Sequence, residues 1–270
     1  VVDRRTAGLG AVIPDPLLGD DEPPAFLSTR PGGTSSFVIA VDHAGARIPR
    51  ALGTLGVPES ELSRHIAWDI GALGIAQGIA ARLNATLVAQ NYSRLVIDCN
   101  RDPRVATSIV TMSEWTPIPG NVGLTPAQAA QRRAAIFDPY HAHLSALLDD
   151  RIAAGRRTIL VSQHTMTDVY KGSQRPMHAA VLYNRDRRYA GLVLEALRAI
   201  PGLVIADNEP YYVTDETDYT IPHHGEARGL PHVEIEVRQD LVSDAAGQAE
   251  WAGRLATVMK SAERLLFGGP

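Results

Sequence analysis

Ser36-Phe37-Val38-Ile39-Ala40-Val41-Asp42-His43-Ala44-Gly45 is the stretch that decides the fold. Its first six residues form a short, β-branched apolar run that stops abruptly on polar residues and a glycine. A run of that length bounded in that way is a buried strand feeding a loop. In an open α/β sheet the ligand sits beyond the carboxyl ends of the strands, so His43 is the first candidate functional residue.

Working outward, the residues before this strand are rich in Pro, Gly and Asp, as in Pro14-Asp15-Pro16 and Pro31-Gly32-Gly33. They suit turns and extended chain, which predicts an N-terminal arm over 1–35 laid on a single domain of 36–270. After the strand, Leu62, Ile66, Ile70, Leu73, Ile75, Ile79 and Leu83 recur at helical spacing and predict one or two helices. Further strands are expected at 86–89, 95–98, 158–162, 179–182, 203–206 and 232–237. Helices are expected from Thr125-Pro126 to about Ala154 with a break, from Tyr189 to Ile200, and from about Ser243 to Leu266. Residues 103–124, with Trp115 and several Pro, read as a loop long enough to cover a substrate. Strands alternating with helices give an α/β domain: a mixed, mainly parallel central sheet flanked by helices.

The chain has 270 residues, of which 45% are hydrophobic and 21% charged, so it can bury a core without disulfide or metal staples. A net charge of -4 with scattered Lys and Arg argues against a nucleic-acid partner. Cys99 is the only cysteine, which excludes an intrachain disulfide and a Cys-rich metal site, and fits a reducing compartment. It is expected to be buried and inert. No run approaches the roughly 20 apolar residues that span a bilayer, and the start lacks a signal-peptide pattern, so a cytoplasmic protein is expected.

Several chemically useful residues fall at or near strand ends: His43, Asn100 with Arg101, His164 and Glu236. Two His residues with acids nearby favour a metal, and with one cysteine it must be held by imidazole and carboxylate. Zinc suits such donors and in catalytic sites keeps a position for water. The water then ionises near neutral pH, and a carboxylate outside the ligand set must carry its proton to the leaving nitrogen. Glu236 is the candidate for that task; an ion pair with Arg238 on the same strand face is the alternative. Arg94 and Arg101 could grip a substrate carboxylate and polarise its carbonyl, or form salt bridges to Asp98 and Asp102. Asp98 itself reads as a structural partner of Arg.

Together these motifs resemble the N-formylglutamate amidohydrolase family, relatives of the zinc carboxypeptidases and of aspartoacylase. The pieces are Asp42-His43-Ala44-Gly45 with Ile48-Pro49, the block from Tyr92 to Arg101, Asp138-Pro139-Tyr140-His141, Ser162-Gln163-His164-Thr165, and His224-Gly225 leading to Glu236-Val237-Arg238. The resemblance implies a phosphorylase/hydrolase-like fold and one zinc ion. Its type reaction converts N-formyl-L-glutamate to L-glutamate and formate. It also implies His43 and His164 as zinc ligands, Glu236 as general base, Arg94 as carbonyl polariser, and Asn100 with Arg101 as the clamp on the substrate carboxylate. His224 and Arg238 are further candidates for substrate contact.

The related peptidases pair the first His with a Glu three residues on, where this chain has Ala46. The resemblance implies Asp69, in Trp68-Asp69-Ile70-Gly71, as the acidic ligand, since the amidohydrolase family tends to carry an acid in this region; capping of the following helix is the alternative. The flank of His164 and the segment Asp215-Glu216-Thr217-Asp218-Tyr219 also depart from the glutamate enzymes. The alternatives are therefore another N-acyl amino acid or a small peptide amide as substrate, or a silent metal- or carboxylate-binding protein. A monomer or homodimer acting on a small molecule is expected.

Overall fold

Phe37–Val41 is buried on both faces, and its side chains divide between two cores. Phe37, Ile39 and Val41 face one cluster with Ile75, Ile79, Trp251 and Leu255. Val38 and Ala40 face the other with Tyr140, Leu144 and Leu148. This split is the period of two expected of a strand covered on both sides. Cutting Ile39 to Ala would cost about 2–5 kcal/mol through lost burial and the cavity left.

The computed structural model describes residues 16–268. Its sheet has seven strands, β1 (Phe26–Thr29), β2 (Phe37–Val41), β3 (Thr86–Gln90), β4 (Ile159–Met166), β5 (Ala179–Leu182), β6 (Ile205–Asp207) and β7 (His232–Arg238), in the order β1-β3-β2-β4-β7-β5-β6. The pairs β3-β2, β2-β4, β4-β7 and β5-β6 are parallel; β1-β3 and β7-β5 are antiparallel. The domain is thus α/β with a mainly parallel mixed sheet, flanked by the helices α1 (Glu59–Leu62), α2 (Ala72–Leu83), α3 (Pro126–Arg132), α4 (Asp138–Ala153), α5 (Arg188–Arg198) and α6 (Ala245–Phe267). Helices α2, α5 and α6 cover one face and α4 the other. Among the described residues no helix is long and apolar enough to cross a membrane.

Thr125 closes the N-terminus of α3 in a capping box with Gln128, and Pro126 occupies the first turn. The break expected before Ala154 is a π-helical stretch, Arg133–Phe137, that runs on into α4. Of the N-terminal segment, residues 1–15 lie outside the described residues, and Phe26–Thr29 joins the sheet as the edge strand β1.

Two expectations require correction. Residues 95–98 are not a strand. Leu95, Val96 and Ile97 are buried as a strand would be, but their backbone is satisfied otherwise: Asn121 Nδ2 donates to Leu95 O (2.8 Å), Arg132 Nη1 to Val96 O (3.0 Å), and Asp98 N to Ser108 O (2.7 Å). Strand β4 also runs past Ser162 to Met166, so His164 lies within it. In β4 and β7, Leu160, Ser162 and His164 share one face with Glu234 and Glu236, in the registers Glu234↔Ser162 and Glu236↔His164. The hydrophobic Val233, Ile235 and Val237 take the opposite face.

Candidate metal centre and active site

Gly45 lets the loop after β2 turn tightly, since a Cβ there would lie 2.0 Å from Asn91 O. His43, two residues earlier, is 2% exposed, and its carbonyl accepts from Asp69 N at 2.9 Å. Asp69 is further fixed from the β4 side: Thr165 Oγ1 donates to Ile70 O at 2.9 Å. The residue at the N-cap of α2 is Gly71, in a left-handed conformation (φ 83°), so Asp69 does not cap this helix. Its carboxylate instead faces both imidazoles.

His43, Asp69 and His164 each offer one donor atom, and the three atoms lie within 4.8 Å of one another. Asp69 Oδ2 is 2.8 Å from His164 Nδ1 and 3.4 Å from His43 Nδ1, and the latter nitrogen is buried with no hydrogen-bond partner. Ligands at about 2.0–2.2 Å around a tetrahedral ion stand roughly 3.4 Å apart. Two imidazoles and a carboxylate in this spacing, one nitrogen orphaned, form a possible metal-binding triad.

What lies behind each ring supports the same reading, because a ligating His usually gives its other N–H to an acceptor that orients it. His43 Nε2 donates to Asp98 Oδ1 at 2.7 Å. His164 Nε2 meets Ser162 Oγ at 2.9 Å, Ser162 Oγ donates to Asp42 Oδ2 at 3.2 Å, and Thr220 Oγ1 donates to Asp42 Oδ1 at 2.7 Å. Burial and the Arg94 guanidinium push the His43 pKa down, but Asp98 and Asp69 outweigh them and raise it. Burial likewise opposes ionisation of Asp42, yet His164 and its neighbours hold the carboxyl at about 2.

Glu236 lies opposite His164 and is 7% exposed, with Oε2 unpartnered. Burial pushes its carboxyl up to about 7, the range a general base needs near neutral pH. Arg238 is not its ion-pair partner, because that guanidinium holds Asp240 (2.7 Å) and the carbonyls of Arg175, Pro176 and Met177. Arg94 bridges Asp98 Oδ2 (2.9 Å) and Asp69 Oδ1 (3.4 Å) with 27% of its side chain exposed.

The remaining expectations divide. Arg101 stays partly open, donating to Asn100 O at 3.0 Å. Asn100 does not offer a free amide: Nδ2 donates to Asp218 Oδ1 (3.0 Å), and Oδ1 accepts from Tyr219 N and Thr220 N (2.9 and 3.0 Å). His224 is fully buried, its ring nitrogens facing His141 Nδ1 (2.9 Å) and Ser145 Oγ (3.4 Å), so it has no atom left for a substrate. Arg238, engaged as above, contacts backbone. Cys99 is buried and free, and burial raises its thiol well above the usual range.

Sequence reasoning gave Asp98 only half its role, since it braces His43 as well as Arg94. Asp42 and Glu234 went unassigned, although the signal was present: an acid immediately before His43, and a second acid in phase with Glu236. In the loop 103–124, Met112–Ser113 and Thr116–Pro117 form a minimal hairpin. Its Glu114 accepts from Lys171 N at 3.2 Å, and Lys171 Nζ sits 5.3 Å from the Trp115 ring.

Comparison with known proteins agrees with this geometry. The N-formylglutamate amidohydrolase family pattern matches residues 35–243. A solved protein of Agrobacterium tumefaciens is 35% identical with a TM-score of 0.90, covering 93% of this chain and 99% of the other. An N-formylglutamate amidohydrolase from Ralstonia eutropha JMP134 shares the fold at 20% identity and TM-score 0.70, covering 90% and 99%. Among curated proteins none matches. With its pattern spanning well over half of the sequence, the chain belongs to the N-formylglutamate amidohydrolase family, a family of amide hydrolases.

Proposed function

We propose that the protein is a zinc-dependent amidohydrolase that converts N-formyl-L-glutamate to L-glutamate and formate. The observation that carries this reading is the convergence of His43, just after β2, with Asp69 and with His164 of β4, beside Glu236 of β7. Zinc held by those three residues supplies Lewis acidity, acidifying water and polarising a carbonyl.

The chain's own groups do the rest. Glu236 takes a proton from the attacking water as the new C–O bond forms. It returns that proton to the amide nitrogen as the C–N bond breaks, so that formate and the free amino acid leave. Arg94, fixed by Asp69 and Asp98, directs its exposed edge at the developing oxyanion. Arg101 grips a substrate carboxylate.

Glu236→Gln keeps the carboxylate's shape and removes its basicity. The variant should retain its zinc and lose about 10²–10⁴-fold in kcat for formate release. Turnover at the wild-type rate would overturn the assignment.

A further inference from the structure

Strand β4 ends at Met166 and leads into a short hairpin, Val169–Tyr170 paired with Ser173–Gln174, that delivers Arg175 back to the end of the sheet. Arg175 is 7% exposed. Its Nη1 donates to Thr167 O at 3.2 Å and its Nη2 to Tyr211 Oη at 2.7 Å. The guanidinium also lies over the rings of Tyr211 and Tyr170, at 4.8 and 5.2 Å. Arg238, two residues beyond Glu236 in β7, donates to the Arg175 carbonyl at 3.1 Å. Side chain and backbone of Arg175 are thereby tied to the ends of the two strands that carry His164 and Glu236.

Among the described residues no carboxylate forms an ion pair with Arg175. A buried cation without a counter-charge is costly, so its surroundings must explain it. Arg132, also buried and without a carboxylate, differs in surroundings: it donates to Val96 O, Gly120 O and Asn121 Oδ1 inside the core, whereas Arg175 lies beside a partly exposed tyrosine. Arg175 has one carbonyl, one phenol and two aromatic faces. Tyr211 is 39% exposed, so the phenol stands at an opening. The charges of Glu236 and Arg94 both act on this phenol.

We propose that Arg175 and Tyr211 form the subsite for the side-chain carboxylate of an N-acyl dicarboxylic amino acid, with Arg238 as the positioning residue that fixes the Arg175 backbone. The planar fork matches a carboxylate in two parallel hydrogen bonds, and the stacked rings hold the fork flat and exclude water. Substrate supplies the missing counter-charge by displacing the Tyr211 hydroxyl from Nη2. The proposal rests on the amidohydrolase reading and adds to it the residues that select glutamate over a neutral side chain.

The test compares wild type with Arg175→Met, Arg175→Lys and Tyr211→Phe, all zinc-loaded, on N-formyl-L-glutamate and N-formyl-L-glutamine. Wild type should favour the glutamate substrate. Arg175→Met should raise its KM on the order of tenfold to a hundredfold while leaving kcat and the glutamine substrate nearly unchanged. Arg175→Lys, which keeps the charge without the fork, should fall between, and Tyr211→Phe should show the smallest effect.

Equal losses on both substrates would overturn the proposal, as would a wild type with no preference. A wild type that hydrolyses neither substrate would sink the amidohydrolase reading. Calorimetric binding of free L-glutamate and L-glutamine, to wild type and to Arg175→Met, then decides the subsite by itself. A preference for glutamate that Arg175→Met abolishes sustains it, and any other result overturns it.

Discussion

The protein buries two pairs of histidines with nearly the same ring spacing, 5.0 Å for His43 with His164 and 5.1 Å for His141 with His224. None of the four is more than 5% exposed. Their chemistry is opposite. His141 Nε2 donates to Cys99 O (2.8 Å), its Nδ1 accepts from His224 Nε2, and His224 Nδ1 accepts from Ser145 Oγ, a chain that suits neutral rings throughout. Burial depresses their pKa to about 4 and about 2. Around His43 and His164, the carboxylates of Asp69, Asp98, Asp42 and Glu234 reverse that outcome and raise both. Burial of imidazole therefore does not by itself fix its protonation; carboxylates placed behind and between the rings make the difference.

The comparison breaks most sharply at Asp69, the one carboxylate between the rings. Asp69→Ala should abolish stoichiometric zinc in elemental analysis, with an activity loss beyond the roughly 100-fold that changes behind a ligand produce. Zinc retained at one equivalent would show that the two pairs are less different than their surroundings suggest. Asp98→Asn removes charge behind one ring only, and a chelator competition should find zinc held about 10–100-fold more weakly.

At the other pair, His224→Gln should leave zinc unchanged and lower stability by about 1–3 kcal/mol in denaturant titration, through the disrupted chain of hydrogen bonds. Acid sensitivity sharpens the contrast further. His141 and His224 have folded pKa values below the ordinary 6.5, so between those values the unfolded chain binds the extra protons. Their effect is absent above pH 6.5 and destabilises the fold increasingly as pH falls through 4. Removing His224 should flatten that part of the stability profile; an unchanged slope would mean that other groups set it.

Much of the fold was legible because β2 and the first half of β4 bury one face in each core as apolar runs, and β7 alternates apolar residues on one face with acids on the other. Leu95-Val96-Ile97 is an apolar run too and is not a strand. Periodicity reports burial, whereas the acceptors' partners here come from Asn121 and Arg132, too far along the chain to be read. At the site, His43 and His164 could be selected from the strand pattern, whereas Asp69 came from the family resemblance. Asn100, His224 and Arg238 turn to other partners in the structure, a direction of the side chain that neither motif nor spacing reveals. His224 is turned inward by the π-helical turn Thr220–Gly225, against α4.

The hydrogen bond from Asp69 N to His43 O ties two donors together early in the chain, whereas His164 follows Asp69 by 95 positions. His43 and Asp69 are thus held together without β4, and two donors discriminate poorly among divalent ions. Only when β4 docks beside β2 does the third donor arrive. Selectivity for one ion would therefore belong to the assembled sheet and not to the segment that carries His43 and Asp69.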